Sequence, residues 1–102
     1  MYKVLAHELA RQELKSLPDQ LRGRMFRLIE RMETEGQLKM PHSKVIGGGL
    51  FELRVGGTDI ARTLYCYSDG HTIYLLHAFV KKTEKTPASA IKLARQRLED
   101  FE

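Results

Sequence analysis

The apolar pattern of this chain changes period once, and that change constrains the fold more than any other feature. Before Gly36 the apolar residues recur at helical spacing. Ala10, Leu14 and Leu17 share one face of a segment from Glu8 to Leu17, and Leu21, Met25, Leu28, Ile29 and Met32 form a longer stripe after the Pro18-Asp19 break. From Leu50 onward, runs rich in β-branched, aromatic and leucine residues predict strands at Leu50 to Val55, Ile60 to Tyr67 and Thr72 to Val80. Their connections, Gly56-Gly57-Thr58-Asp59 and Ser68-Asp69-Gly70-His71, have hairpin chemistry because glycine reaches positive φ without a Cβ clash. Between the two regimes, Lys39 to Gly49 contains Pro41 and the run Gly47-Gly48-Gly49 and is expected to be a loop.

The ends complete the layout. Tyr2 to Ala6 reads as a short opening strand, and Gly36 as a helix stop. The tail predicts a closing helix, capped by Thr86 with Pro87 in the first turn, that turns Ile91, Ala94, Leu98 and Phe101 to one side. The expected class is α+β: an N-terminal strand and a helical hairpin packed on a mostly antiparallel sheet, with a C-terminal helix. Two helices would cover one face of that sheet and leave the other available.

A chain of 102 residues supports one domain, residues 1–102, and buries roughly 60 to 70% of its unfolded surface without needing staples. Cys66 is the only cysteine, which rules out an internal disulfide and fits a reducing compartment. The apolar start is broken by Lys3 and ends at His7, too short for a secretory signal, and the run Ile73 to Val80 is far too short to span a bilayer. A soluble, cytoplasmic protein with no membrane partner is therefore expected. Charge is unevenly spread: residues 36–98 carry 10 basic against 4 acidic side chains, within a net charge of +4. Such a field attracts polyanions, of which nucleic acid is the usual intracellular one.

Period-two alternation puts Phe51, Leu53 and Val55 on a core side, and Leu50, Glu52 and Arg54 on a solvent side. Arg62 shares its face with Ile60, Leu64 and Cys66, an unusual setting for an arginine near mid-sheet. It reads either as a salt-bridge partner of Glu52 or Asp59, or as a guanidinium held for bidentate phosphate contact. Lys81, Lys82 and Lys85 fall within five positions before the last helix, as a phosphate site or as a solvated loop. Lys44, in the expected loop, joins the RNA-binding candidates. Alternation groups His77 with Ile73, Leu75 and Phe79, as a packed histidine or a catalytic one. Phe79, Tyr65 and Tyr67 could stack on bases or fill the core.

The four histidines are scattered without ligand spacing, and the glycine run lacks the lysine and strand-to-helix context of a phosphate loop, so neither metal nor cofactor is expected. Cys66, isolated in a strand, is a poor nucleophile candidate. For an enzyme, these exclusions favour metal-independent RNA cleavage, in which the ribose 2′-hydroxyl is the nucleophile and the protein supplies cations and proton carriers. His77, Glu52 or a lysine could be the base.

Three segments in order, Gly48-Gly49-Leu50-Phe51-Glu52-Leu53-Arg54, Ala61-Arg62-Thr63-Leu64-Tyr65 and His77-Ala78-Phe79-Val80-Lys81-Lys82-Thr83 with Lys85-Thr86-Pro87 behind it, resemble the RelE/HigB superfamily of toxin–antitoxin ribonucleases, in particular its HigB-like, phage-derived branch. The resemblance covers nearly the whole chain. It implies a RelE-like fold and an endoribonuclease toxin that cleaves mRNA, commonly on the ribosome, and is neutralised by a helix-turn-helix antitoxin. It also implies that Arg62 sits at the scissile phosphate, that Lys82 is a second basic catalytic residue, and that Arg54 belongs to the ELR segment. RelE itself carries a tyrosine after the basic cluster, where this chain reads Thr86-Pro87-Ala88. His77 or Lys81 would then carry the proton, or the fold would be retained as an inactive nucleic-acid- or antitoxin-binding module.

Overall fold

The computed structural model describes residues 1–82 and 84–102. Its elements are β1 (Lys3–Ala6), α1 (Glu8–Lys15), α2 (Asp19–Glu35), β2 (Ser43–Gly47), β3 (Leu50–Gly56), β4 (Ile60–Tyr67), β5 (Thr72–Lys81) and α3 (Ala88–Leu98), followed by a 3-10 turn, Glu99–Phe101. The strands form one sheet in the order β1-β5-β4-β3-β2, parallel only between β1 and β5. No helix among the described residues is long and apolar enough to cross a membrane.

The helical stripes do what their spacing predicts. Leu14, Leu17, Met25, Leu28, Ile29 and Met32 pack with Leu53, Val55, Ala61, Tyr65, Ile73 and Leu75 on one face of the sheet. Gly36 ends α2 with φ 78°, and a Cβ there would lie 2.6 Å from the Tyr2 ring, so both conformation and space require glycine.

Three expectations are corrected. The segment read as a loop contains β2, whose Ser43, Lys44 and Val45 pair with Leu53, Glu52 and Phe51. Its glycines supply the β2–β3 turn instead of an open loop. At Gly48, with φ 59°, a Cβ would lie 2.5 Å from Arg95 Nη2, because Arg95 on α3 reaches over to donate to the Gly47 and Gly48 carbonyls at 3.3 Å each. Second, the far face of the sheet is not left open. Leu50, Leu64, Cys66 and Leu76 form a second core there with Ala90 and Ala94 of α3, so Arg54, expected on a solvent side, is largely covered. Third, Thr86 does not cap α3. Pro87 occupies that position, and the buried Thr86 hydroxyl instead donates to Glu52 Oε2 at 2.6 Å.

Alternation also fails once, inside β5. The register with β4 slips between Leu64 and Tyr65, so Ile73 and Leu75 face the helical hairpin whereas Tyr74, Leu76 and Phe79 pack on the α3 side. Beyond the slip, His77 pairs with Leu64 and Phe79 with Arg62. The bulge therefore separates His77 from Ile73 and Leu75, with which simple alternation groups it, and aims it at the opposite face.

Candidate active site

Register alone assembles the site. Across the sheet Arg54 pairs with Arg62, and Arg62 with Phe79. In the adjacent row Lys44 pairs with Glu52, Glu52 with Leu64, and Leu64 with His77. Cross-strand partners share a face, so Lys44, Arg54, Arg62, His77 and Phe79 all lie on the α3 side. Lys81, opposite Ile60, continues the β5 row and is exposed. Lys82 and Lys85 follow it, also exposed, in the connection to α3, while Thr83 of the third segment lies outside the described residues. Tyr65 does not belong here. It is buried on the hairpin side, stacked on Phe51 and hydrogen-bonded to Ser43 Oγ at 2.7 Å, and has no free ring face for a base.

Arg62 and Glu52 are both 0% exposed. The Glu52 carboxylate lies 3.0 Å from Arg54 Nε, an ion pair by distance whose angle is too bent for a hydrogen bond, and 3.9 Å from Arg62 Nη1. None of the three Arg62 nitrogens has a hydrogen-bond partner among the described residues. Burial pulls the Arg62 pKa down from its ordinary value and the nearby Glu52 charge opposes that pull. A guanidinium carries five N–H donors, so this one is a concentrated store of unsatisfied polarity.

Two hollows lie beside these side chains. The first, of about 250 Å³, is lined by Arg24, His42, Arg54 and Glu84 among others. Within it Arg54 Nη2 donates to the Glu84 carbonyl at 2.7 Å, and Nη1 lies 3.4 Å from the exposed Glu84 carboxylate. The second, of about 280 Å³, lies between β5 and the start of α3 and is lined by His77, Phe79, Lys81, Pro87, Ser89 and Leu93 among others. There the His77 and Phe79 rings stack at 4.8 Å.

Sequence reasoning missed the support behind His77. β1 stops opposite Leu75, which leaves the next edge N–H of β5 unclaimed by a strand; Glu13 of α1 takes it, accepting from the Ala78 N–H at 3.0 Å. The same Oε1 lies 3.0 Å from His77 Nδ1, and Arg97 of α3 donates to both Glu13 oxygens at 2.7 and 2.9 Å. Burial by itself would raise the Glu13 carboxyl, but the bonds from Arg97, Ala78 and His77 together outweigh it and hold the group below the usual carboxylate range. One signal was present in the sequence: Glu13 stands three residues after Ala10 and four before Leu17, inside the apolar stripe of α1.

That depressed value has a pH consequence. Glu13 contributes stability that is fully present above its ordinary value of 4.5 and is lost as pH falls through its lower folded value. Thermal melts between about pH 5 and 3 should therefore show a drop that Glu13→Gln flattens. Burial pushes the Cys66 thiol up to about 11, which disfavours the nucleophilic thiolate.

A hairpin of helices on one side of a five-stranded, mostly antiparallel sheet, with a cationic row on the other, defines a RelE-type α+β fold. A chain of the toxin–antitoxin complex RelBE2 from Mycobacterium tuberculosis shares it, with a TM-score of 0.54 and 23% identity, covering 78% of this chain and 98% of that one. The profile of the family described as phage derived protein Gp49-like (DUF891) matches residues 12–99, and the chain belongs to this family, a RelE-type toxin family. Among curated proteins, none matches the chain.

Proposed function

We propose that this protein is a metal-independent endoribonuclease toxin that cleaves mRNA in the cytoplasm, in association with the ribosome, and is held inactive by a helix-turn-helix antitoxin. The observation that carries the reading is the row Arg54–Arg62–Phe79, flanked by His77 and Lys81, in which a buried guanidinium has every donor unspent among the described residues. Phosphate oxygens are the acceptors that a planar fork of this kind fits best.

In this reading the ribose 2′-oxygen loses its proton to His77 and bonds to phosphorus, and the P–O5′ bond breaks. The products are a 2′,3′-cyclic phosphate and a 5′-hydroxyl. Arg54, Arg62 and Lys82 neutralise the charge that develops on the phosphoryl oxygens, Lys81, Lys85 and Lys44 hold neighbouring phosphates, and Phe79 stacks on a base. Glu84 stands where a substrate anion would sit on Arg54. Entry of the message requires Glu84 to yield its place on Arg54.

One observation favours a second reading, a non-catalytic RNA- or antitoxin-binding module: Arg62 has no exposed surface. Induced expression in bacteria with primer extension on a cellular transcript separates the two. The enzyme arrests growth and leaves cut transcripts with cyclic- or 3′-phosphate ends, and Arg62→Ala relieves both effects. Salt-dependent RNA binding without new ends, with ribosomes present, identifies the module and overturns the enzyme.

A further inference from the structure

We infer that Glu13 is a positioning residue: it fixes the His77 imidazole as the tautomer with its proton on Nδ1, so that Nε2 is the proton acceptor presented to the groove between β5 and α3. The inference deepens the ribonuclease reading and rests on it for the identity of the proton donor, but not for the state of the ring.

The ring's two nitrogens are in different surroundings. Nδ1 is 3.0 Å from Glu13 Oε1, whereas Nε2 has no partner among the described residues. An ionised carboxylate can only accept, so at that distance a bare lone pair on Nδ1 would face a negative oxygen, and a proton there turns repulsion into a charge-assisted bond. Arg97 Nη1, 3.4 Å from Nδ1, is the competing donor, but it is already engaged with Glu13 Oε1 at 2.7 Å and the Leu76 carbonyl at 3.1 Å. The carboxylate cannot swing away either. Arg97 grips both of its oxygens, and the Ala78 N–H holds one of them. Phe79 stacks on the imidazole and limits its rotation.

The assembly spans three elements. The acid comes from α1, the base from the bulged strand β5, and the arginine from α3. The bulge is the enabling feature, because without the register slip His77 would fall on the opposite face. During cleavage the 2′-hydroxyl proton passes to Nε2 as the O2′–P bond forms and the P–O5′ bond breaks. The resulting imidazolium stays bonded through Nδ1–H to an anion, and O5′ takes a proton from solvent.

The test is long-range proton–nitrogen NMR on protein labelled with ¹⁵N-histidine, recorded on the neutral ring. The expected spectrum shows a protonated Nδ1 and an unprotonated Nε2 for His77 in the wild type, and a shift toward the opposite tautomer in Glu13→Ala, which removes the acceptor and frees Arg97 to donate to Nδ1. In the cleavage assay the same variant should lose at least about tenfold in kcat with KM unchanged. A wild-type His77 protonated on Nε2 would overturn the inference even if Glu13→Ala fails to fold, since that measurement needs no variant. An unchanged tautomer in a folded Glu13→Ala would overturn it as well. If wild-type protein with ribosomes leaves transcripts intact, the ribonuclease reading fails, and the nitrogen spectrum still decides whether Glu13 sets the ring.

Discussion

Replacing Arg62 by methionine should raise the melting temperature and sharply reduce RNA cleavage together. The guanidinium is fully buried, its nitrogens lack hydrogen-bond partners among the described residues, and its nearest carboxylate oxygen there is 3.9 Å away. Buried donors without acceptors cost about 1–3 kcal/mol, and more when they are charged. Removing one partner of a buried pair is normally costly, but Glu52 keeps Arg54 at 3.0 Å, so losing Arg62 leaves a neutral pair in place of a cluster with one excess positive charge. Methionine is unbranched and flexible enough to fill an arginine's track among Leu64, Phe79 and Ile60 without adding a donor. For a chain of this size each kcal/mol moves the midpoint by roughly 4–8 °C, so calorimetry should record a gain of at least about 4 °C. The same change removes the group assigned to the phosphoryl oxygens, and cleavage should fall by about 10² to 10³. Stability gained at the expense of activity is the expected trade where a site is strained for function. A lower melting temperature would mean that the attraction to Glu52 exceeds the desolvation of Arg62, and the description of the site as a store of unsatisfied polarity would fail.

What was legible in the sequence was whatever rests on local period and turn chemistry. The stripe from Leu21 to Met32, the stop at Gly36 and the strand Ile60 to Tyr67 all stand where spacing puts them. Contacts between distant residues were not legible. β2 was hidden because Ser43, Lys44 and Val45 carry no strong alternation, and their strand character comes from pairing with Leu53, Glu52 and Phe51. Thr86 and Pro87 carry the local signature of a cap, but the buried carboxylate of Glu52 competes for the hydroxyl and wins. The bulge in β5 has no sequence mark of its own, and it decides which way His77 points. Tyr65 and Phe79 show the limit from the other side: both are aromatic strand residues of the same apparent kind, yet one fills the core under Ser43 and the other stacks on His77 beside a groove. Glu13 and Arg97 lie 84 residues apart, and only the folded sheet brings them to one histidine.

The largest loss of stability is expected for Glu52→Gln, and it comes from the same cluster that makes Arg62→Met favourable. Arg54 and Arg62 are direct register partners, two guanidinium groups side by side on one sheet face, and like charges in that relation repel. Glu52 is the buried anion between them, in ion-pair range of Arg54 at 3.0 Å, and its other oxygen accepts from the Thr86 hydroxyl that secures the connection into α3. Glutamine preserves shape and one acceptor, so it isolates the charge. Removing one partner of a buried charge cluster costs about 3–5 kcal/mol, because the remaining ions are left uncompensated. With a urea dependence of about 1–3 kcal/mol per molar, the unfolding midpoint should fall by about 1 M or more. The decisive comparison is the double variant. If repulsion between the two arginines causes the loss, Glu52→Gln should cost far less when Arg62→Met is already present, with a coupling of about 1 kcal/mol or more. Strict additivity would show instead that Glu52 acts through Thr86 alone, and Arg54 and Arg62 would then have to be treated as electrostatically independent.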